Sequence, residues 1–289
     1  MKIFIIKNII SKLMIIYNEG FIELDTKLKV FYRFWKSENT KKYIIGIHGF
    51  AEHSGRYDEF SRNLAKNGFS VIMYDLRGHG KSSTSENIGY IKNFDEFIND
   101  TFSFIEIMGE KLKNNKFVLY GHSMGGLILL KYATKYNENI DGLISSGPAT
   151  IINVNSLTKT FLTLMAKISP KSRVKLPIKP EFLTHEQTIW EAYINDPLVF
   201  KKPTVNLIYE MYKGSKSIWK DLNKINVPIL MLHGGEDKIV PKVATELAFE
   251  KISSKDKAKK IYQGMYHEIH NELDRNIVYN DISDWLEVH

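Results

Sequence analysis

The sequence predicts an α/β protein in which helices flank a mostly parallel sheet of eight strands, with a helical cap inserted into the chain. Three observations predict this fold class. Short apolar runs alternate with longer helical segments over most of the 289 residues, as in repeated strand–helix–strand units. Several of these runs are apolar throughout, as expected for strands buried on both faces. Between residues 149 and 215 the alternation stops, and helical segments separated by prolines take its place.

The strands follow one another at regular intervals. We expect a hairpin and then mainly parallel strands, at residues 21–24, 28–35, 43–47, 70–74, 116–120, 140–146, 227–232 and 259–262. Helices are expected between them, including long ones at residues 94–113 and 277–286. The pattern divides the chain into an apolar and basic extension (1–13), a core (14–148 and 216–289) and a cap (149–215). The cap is expected to cover the carboxyl edge of the sheet, where ligands bind in open α/β folds.

Composition is that of an ordinary globular protein. Hydrophobic residues make up 43% of the chain and charged residues 25%, which excludes disordered and fibrous classes. Cysteine is absent, so disulfides, thiolate metal sites and a cysteine nucleophile are excluded. The formal charge of +7 comes from lysines spread along the chain. This spread predicts a solvated basic surface with weak attraction to anionic lipid, and no nucleic-acid partner.

The first thirteen residues place apolar side chains on one side of a helical wheel and polar ones on the other. Two interpretations stand: a helix that lies on a membrane or against the protein, and a translated extension before a natural start at Met14. Lysines interrupt the apolar runs, so neither a signal peptide nor a transmembrane helix is expected. We therefore expect a cytoplasmic protein, with peripheral membrane contact as a further hypothesis.

The chain is organised around the sequence G-H-S-M-G at residues 121–125. It lies between a buried strand and the start of an apolar helix, which is the setting of the nucleophile elbow motif G-x-S-x-G. At Gly121 and Gly125 a β-carbon would collide with the neighbouring strand or helix, and the serine itself is expected to be strained. This turn would lift the Ser123 hydroxyl clear of the backbone above a helix N-terminus.

A serine hydroxyl needs a base, and the base needs an orienting acid. Asp237 and His267 follow later strands, giving the chain order serine, acid, histidine that is expected for α/β-hydrolases. Glu236 competes with Asp237 for the role of the acid, and His270 competes with His267 for that of the base. The structural alternative for Asp237 is an ordinary surface carboxylate, and His270 is expected at the pocket rim.

An oxyanion hole needs two preorganised N–H donors. One is expected from the amide of Met124, directly after the serine. The other is expected from the loop after strand 43–47, and we assign it to the amide of Phe50. No metal or organic cofactor is required for this chemistry.

Several motifs together carry a family resemblance. They are H-G-x-x-E-H-S-G-R-Y at 48–57, Asp75 with G-H-G-K-S at 78–82, G-H-S-M-G-G at 121–126, N-D-P-L at 195–198, and K-I-Y-Q-G at 260–264 with Y-H at 266–267 and H-N-E at 270–272. From residue 17 to residue 285 the chain resembles the monoacylglycerol lipase and lysophospholipase branch of the α/β-hydrolases, which is grouped with the S33 serine aminopeptidase-like hydrolases. The first of these motifs is the most specific to the branch.

The resemblance implies the α/β-hydrolase fold and hydrolysis of a monoacylglycerol or similar single-chain ester, with the acyl tail under the cap. It further implies that polar residues near the serine hold the glycerol, and the matching positions are Glu52, Arg56, His122, Tyr193 and His270. The alternative is structural, since Glu52 and Arg56 could simply pair with each other. Lysophospholipase and general carboxylesterase activity remain open, as does a ligand receptor that keeps the fold with little turnover.

Overall fold

The structure is a computed structural model that describes residues 15–175 and 178–289. One sheet of eight strands runs through it. The strands are β1 (Ile15–Glu23), β2 (Lys29–Ser37), β3 (Lys42–Ile47), β4 (Phe69–Tyr74), β5 (Phe117–His122), β6 (Ile140–Ser146), β7 (Ile229–Gly234) and β8 (Lys257–Tyr262). Their order across the sheet is β1-β2-β4-β3-β5-β6-β7-β8. Pairing is antiparallel for β1 with β2 and for β2 with β4, and parallel from β4 through β8.

Eight α-helices accompany the sheet in the described part of the chain. They are α1 (Asp58–Lys66), α2 (Asp95–Leu112), α3 (Met124–Ala133), α4 (Ser156–Ile168), α5 (Gln187–Asn195), α6 (Val205–Ser217), α7 (Val243–Lys251) and α8 (Arg275–Val288). Helices α4, α5 and α6 lie in succession between β6 and β7, where the alternation of strands and helices stops. The fold class predicted from the sequence is therefore confirmed.

The apolar residues form one core layer on each face of the sheet. Phe97 of α2 and Leu127 of α3 belong to one layer, and Phe60 of α1 and Val278 of α8 belong to the other. Along the inner strands, successive residues belong alternately to the two layers, because neighbouring side chains of a strand point to opposite faces of the sheet. Burial on both faces explains why β4 and β5 are apolar along almost their whole length.

Strand β1 begins six residues earlier than the sequence pattern predicts. Ile15 to Glu23 pair with β2 in an unbroken antiparallel ladder, although most of these residues are exposed. Backbone pairing, and not burial, extends this edge strand, so its first half carries no alternating apolar signal. The predicted extension, 1–13, lies outside the described residues.

Parallel pairing brings four loops to one edge of the sheet. The loops that follow β3, β5, β7 and β8 all leave from the carboxyl ends of their strands, because these strands run in the same direction. They carry Phe50, Ser123, Asp237 and His267, respectively. The topology alone therefore brings residues from positions 50 to 267 into one region.

Candidate active site

Ser123 stands at the sharp turn between β5 and α3. Its backbone has φ 54° and ψ −116°, a sparsely populated conformation that costs a non-glycine residue about 1–3 kcal/mol. The Ser123 amide donates to the Ser146 carbonyl at the end of β6, and the Ser123 carbonyl accepts from the amides of Leu127 and Ala149. Backbone bonds to three neighbouring segments therefore hold the serine in its strained position.

Gly121 and Gly125 allow this turn to form. A β-carbon on Gly125 would lie 2.1 Å from the carbonyl oxygen of Ile47 on β3. A β-carbon on Gly121 would lie 2.5 Å from the carbonyl oxygen of Gly125. Both contacts are with backbone, which cannot swing away as a side chain can, so each position requires glycine.

The loop after β3 runs directly beside the serine. A β-carbon on Gly49 would lie 3.4 Å from the β-carbon of Ser123, and the Gly49 amide donates to Glu52 Oε1 over 2.5 Å. For the amides of Phe50 and Met124, the structure records no hydrogen-bond acceptor within residues 15–175 and 178–289. An amide without an acceptor inside the protein is free to donate to a ligand, as the donors of an oxyanion hole must be.

The loops after β7 and β8 bring Asp237 and His267 into contact. His267 Nδ1 lies 2.6 Å from Asp237 Oδ2, and both side chains are almost fully buried. A carboxylate oxygen only accepts, so Nδ1 carries the hydrogen and the lone pair of the neutral imidazole is on Nε2. The other oxygen, Asp237 Oδ1, accepts from the amides of Ile239 and Val240 at 2.8 and 2.9 Å. The competing acid, Glu236, is exposed.

This contact shifts the pKa of both groups. Burial lowers the pKa of His267, but the Asp237 carboxylate, together with Glu268 and Glu52, outweighs burial and raises this pKa above the ordinary 6.5. Burial raises the pKa of Asp237, yet His267 and His233 hold that pKa well below its usual range. Asp237 is therefore ionised at neutral pH and favours the imidazolium form of its partner.

His233, in β7, is a third neighbour of the acid. It is fully buried, and its Nε2 lies 3.1 Å from Asp237 Oδ2 and 3.0 Å from the Val240 carbonyl oxygen. Its Nδ1 lies 2.7 Å from Thr245 Oγ1. Both neighbours of Nε2 only accept, so Nε2 carries the hydrogen and the threonine hydroxyl donates to Nδ1. His233 thus helps to fix the orientation of the Asp237 carboxylate.

Ser123 and His267 line the same cavity, whose volume is about 30 Å³, enough for one or two water molecules. Within the described residues no hydrogen bond joins the Ser123 hydroxyl to His267, and such bonds commonly shorten only when substrate binds. Apolar and polar side chains share the rest of the lining. They are Phe50, Ile178, Leu183 and Ile239, and Glu52, Arg56, His122, Tyr193 and Glu268.

Arg56 lies between two buried carboxylates, and the contacts among Glu52, Arg56, Glu268 and Tyr193 make these residues one continuous polar side of the cavity lining. Its Nη1 donates to Glu52 Oε2 and to Glu268 Oε1 over 2.5 Å each, and its Nη2 donates to Glu268 Oε2 over 2.8 Å. The guanidinium carbon lies 4.8 Å from the ring centre of Tyr193. The pairing of Glu52 with Arg56 that the sequence left open is present, and it is shared with Glu268.

His122 and His270 occupy different depths. His122 lines the cavity, and its ring centre lies 4.7 Å from that of His267. His270 lies behind His122, fully buried and stacked on Tyr57, and it is outside the cavity lining. Burial lowers the pKa of both groups, that of His270 to about 4. Of the two candidate bases, His267 is the one that contacts a buried acid.

Two histidine–carboxylate contacts join residues 149–215 to the core beside the cavity. His53 Nε2 lies 2.8 Å from Asp196 Oδ2, just after α5, and His185 Nδ1 lies 2.9 Å from Glu272 Oε1, just before α5. The Glu268 amide also donates to the Leu183 carbonyl over 2.7 Å. Helix α5, which carries Tyr193, is thereby held at both ends against the loops of the site.

Comparison with known proteins places this chain in a family. The family model for the serine aminopeptidases of family S33 matches residues 38–274. The chain belongs to family S33. Among relatives of this S33 chain, monoglyceride lipase of Homo sapiens is 31% identical, with 89% of this chain and 86% of the relative covered. Phospholipase YtpA of Bacillus subtilis is 30% identical, with 85% of this chain and 95% of the relative covered.

A solved structure extends the comparison to three dimensions. A soluble variant of monoglyceride lipase from Saccharomyces cerevisiae, in complex with a substrate analog, has a TM-score of 0.86 and 27% sequence identity to the S33 chain, and 95% of each chain is covered. The S33 chain is therefore an α/β-hydrolase, and with these relatives it is a carboxylic ester hydrolase of the monoacylglycerol lipase and phospholipase branch.

Two residues at the site of this S33 hydrolase carried no recognised signal in the sequence. Glu268 directly follows His267, and this adjacency was the only sign that it could reach the site. His233 belongs to an H-G pair at the end of an apolar run, four residues before Asp237. A polar residue at the end of a buried strand is the signal that could have identified it.

Proposed function

We propose that this S33 hydrolase cleaves the carboxylic ester of a single-chain lipid, with a monoacylglycerol as substrate and glycerol and a fatty acid as products. One observation carries the proposal: His267 contacts the buried Asp237 and shares a cavity with Ser123 at the strained turn. The names of the human and yeast relatives support the choice of substrate.

In the proposed reaction, His267 Nε2 takes the proton of the Ser123 hydroxyl as the serine oxygen attacks the ester carbon. The amides of Phe50 and Met124 donate to the oxyanion that forms. The imidazolium then gives its proton to the leaving glycerol oxygen, and water cleaves the acyl-enzyme by the same steps. Asp237 keeps the imidazole in the required tautomer and stabilises its charged form.

The two sides of the cavity suggest how the substrate lies. We assign the glycerol to the polar side, where Glu52, Arg56, His122 and Tyr193 lie, with His270 supporting His122 from behind. The acyl chain then lies on the apolar side, under the cap formed by residues 149–215. Because a cavity of about 30 Å³ is far smaller than a monoacylglycerol, we expect the cap to move when substrate enters.

Removal of the nucleophile tests the proposal. Ser123→Ala should lower p-nitrophenol release from short and medium acyl esters by about 10⁴-fold or more, because the covalent step is lost. A fluorophosphonate probe should label the wild type and not the variant, and the unfolding temperature of the variant shows that it is folded. Unchanged turnover would discard the assignment, and a wild type that resists the probe would favour a receptor.

A second substrate class has support from one relative. The similarity to a phospholipase, at 30% identity, favours lysophospholipase activity as the alternative, with general carboxylesterase activity as the broader case. Rates on monoacylglycerols and lysophospholipids of the same chain length separate these activities.

We also propose that α4 brings the enzyme to a lipid surface. Its exposed apolar residues recur every three or four positions, which places them on one face of the helix. They are Leu157, Phe161, Leu164 and Ile168. Lys159 and Lys167 on the same helix favour anionic lipid, and a helix of this kind lies in the interface. Among residues 15–175 and 178–289, no helix has both the length and the apolar character to span a bilayer.

A further inference from the structure

The polar side of the cavity beside Ser123 has an excess of negative charge. The charged side chains in its lining are Glu52, Arg56 and Glu268, two carboxylates and one guanidinium, which gives a formal charge of minus one. Asp237, behind His267, adds a second negative charge whenever the imidazole is neutral. A substrate head group on this side therefore meets more negative than positive charge.

Arg56 is poorly placed to offset this charge for a ligand. Its two terminal nitrogens already donate to Glu52 and Glu268, and the Tyr193 ring covers one face of the guanidinium. Arginine recognises phosphate through paired N–H donors, and here Glu268 accepts such a pair. An incoming phosphate would have to compete with two buried carboxylates for one cation.

Glu268 is ionised in this setting. Burial raises its pKa, but Arg56 and the side-chain amide of Asn271 outweigh burial and hold the pKa below its ordinary value. In the described residues, Arg56 is the only lysine or arginine that lines the cavity. Lys201 lies outside the lining, where it donates to the Tyr193 carbonyl and lies 4.9 Å from the centre of its ring.

We infer that Glu268 is a specificity-determining residue that makes the site discriminate against anionic head groups and select uncharged ones. The inference rests on the proposed ester hydrolysis at Ser123. A phosphate on the head group would lie in a poorly solvated site beside two carboxylates, where repulsion between like charges is weakly screened. An uncharged glycerol can instead accept and donate hydrogen bonds there without this cost. Selectivity by repulsion of the wrong ligand is a common device in binding sites.

The test compares two esters that share an acyl chain and differ in head-group charge, 1-dodecanoylglycerol and its 3-phosphate. We expect wild-type kcat/KM to favour the uncharged ester by about tenfold or more. Glu268→Gln removes the excess charge while Glu52 still pairs with Arg56, and should lower this preference about tenfold. The matched control is Glu210→Gln, because Glu210 is also a buried carboxylate but lies on α6, outside the cavity lining. It should keep the wild-type preference.

A ratio of two substrates is insensitive to a uniform loss of activity in a variant. The inference is overturned if both esters are cleaved equally well by the wild type, or if Glu268→Gln and Glu210→Gln shift the preference alike. A measurement on the wild type alone tests the inference even if the Glu268→Gln variant does not fold. The ether 1-O-dodecylglycerol should inhibit cleavage of the uncharged ester at about a tenfold lower concentration than its 3-phosphate, and equal inhibition would overturn the inference.

Failure of the proposed function has a different signature. If neither ester is cleaved and fluorophosphonate leaves Ser123 unlabelled, the proposed hydrolysis is wrong, and the selection of head groups falls with it. If both esters are cleaved at similar rates, hydrolysis stands and only the role of Glu268 is rejected.

Discussion

At the scale of single residues, the chemistry depends on the proton that His267 carries. Asp237 accepts from Nδ1 over 2.6 Å, which leaves Nε2 as the basic atom. The same carboxylate raises the pKa of His267 above 6.5 despite burial. The residue that orients the base thus also determines the pH at which the base becomes available.

The raised pKa of His267 determines whether activity rises or falls with pH. The proposed base must be neutral, so kcat/KM for a p-nitrophenyl ester should rise with pH, with a midpoint above 6.5. An acid limb with its midpoint well below 6.5 would contradict the structure. Rates across a pH series at constant ionic strength give this midpoint. The unfolding temperature at each pH shows that the protein is folded.

Asp237→Asn tests the partner of that base. Loss of the carboxylate should lower kcat by about 10³- to 10⁴-fold, because the imidazole loses the partner that fixes its tautomer. It should also move the midpoint of the acid limb downward, since the charge that raises the pKa of His267 is gone. The control is Glu236→Gln, an exposed neighbour that should leave both quantities near the wild type. Equal losses in the two variants would reject Asp237 as the acid.

At the scale of elements, the turn from β5 into α3 depends on close backbone contact. Gly125→Ala would place a β-carbon 2.1 Å from the Ile47 carbonyl oxygen, so β3 and α3 would have to separate. We expect a loss of several kcal/mol in the free energy of unfolding, about 3 or more. Denaturant unfolding measures it.

Gly264→Ala is the control for backbone strain without collision. Gly264 has φ 78°, but no atom lies within 4 Å of a β-carbon placed there. Its substitution should cost only about 1–2 kcal/mol, the usual penalty for a left-handed conformation. If Gly125→Ala costs no more than Gly264→Ala, the packing described for the turn is wrong.

The exposed face of α4 leads to a prediction about membranes. Replacing Leu157 and Phe161 together with serine should weaken binding to anionic phosphatidylglycerol vesicles about tenfold or more, because apolar area that would enter the interface is removed. The matched control replaces Val243 and Leu247, which are exposed one turn apart on α7. Vesicle sedimentation measures binding. If the two double variants bind alike, α4 is not the contact surface.

At the scale of the whole molecule, buried neutral histidines make stability depend on pH. Burial lowers the pKa of His48 and His270 to about 4 and that of His79 to about 3, and it lowers the pKa of His122 as well. In the unfolded chain each of these histidines has a pKa near 6.5. Between pH 6.5 and about 4, the unfolded chain therefore binds more protons than the folded one. Stability therefore falls as the pH falls through this window.

This linkage is measurable as a change in unfolding temperature. Between pH 7 and pH 5 we expect the unfolding temperature to fall by about 5 °C or more. His267 acts in the opposite sense, because its raised pKa stabilises the folded state below pH 6.5, but it is one group against four. An unfolding temperature that is constant or rises toward pH 5 would show that these histidines are not buried and neutral.

Local sequence determined the fold class, the turn at Ser123 and the order of the proposed catalytic residues. Apolar runs fix strands buried on both faces, and Gly121 and Gly125 permit a turn that other residues cannot form. These features depend on neighbours in sequence or on hydrophobic periodicity, so the amino-acid sequence alone can reveal them.

Only the tertiary structure decided how distant charged and polar groups meet. Arg56 pairs with Glu268 across 212 residues, His233 contacts the acid, and His270 lies behind the cavity instead of in its lining. Such contacts depend on where separate loops end at the edge of the sheet and on which groups lose water there. No local pattern encodes that geometry, because burial and pairing are properties of the packed molecule.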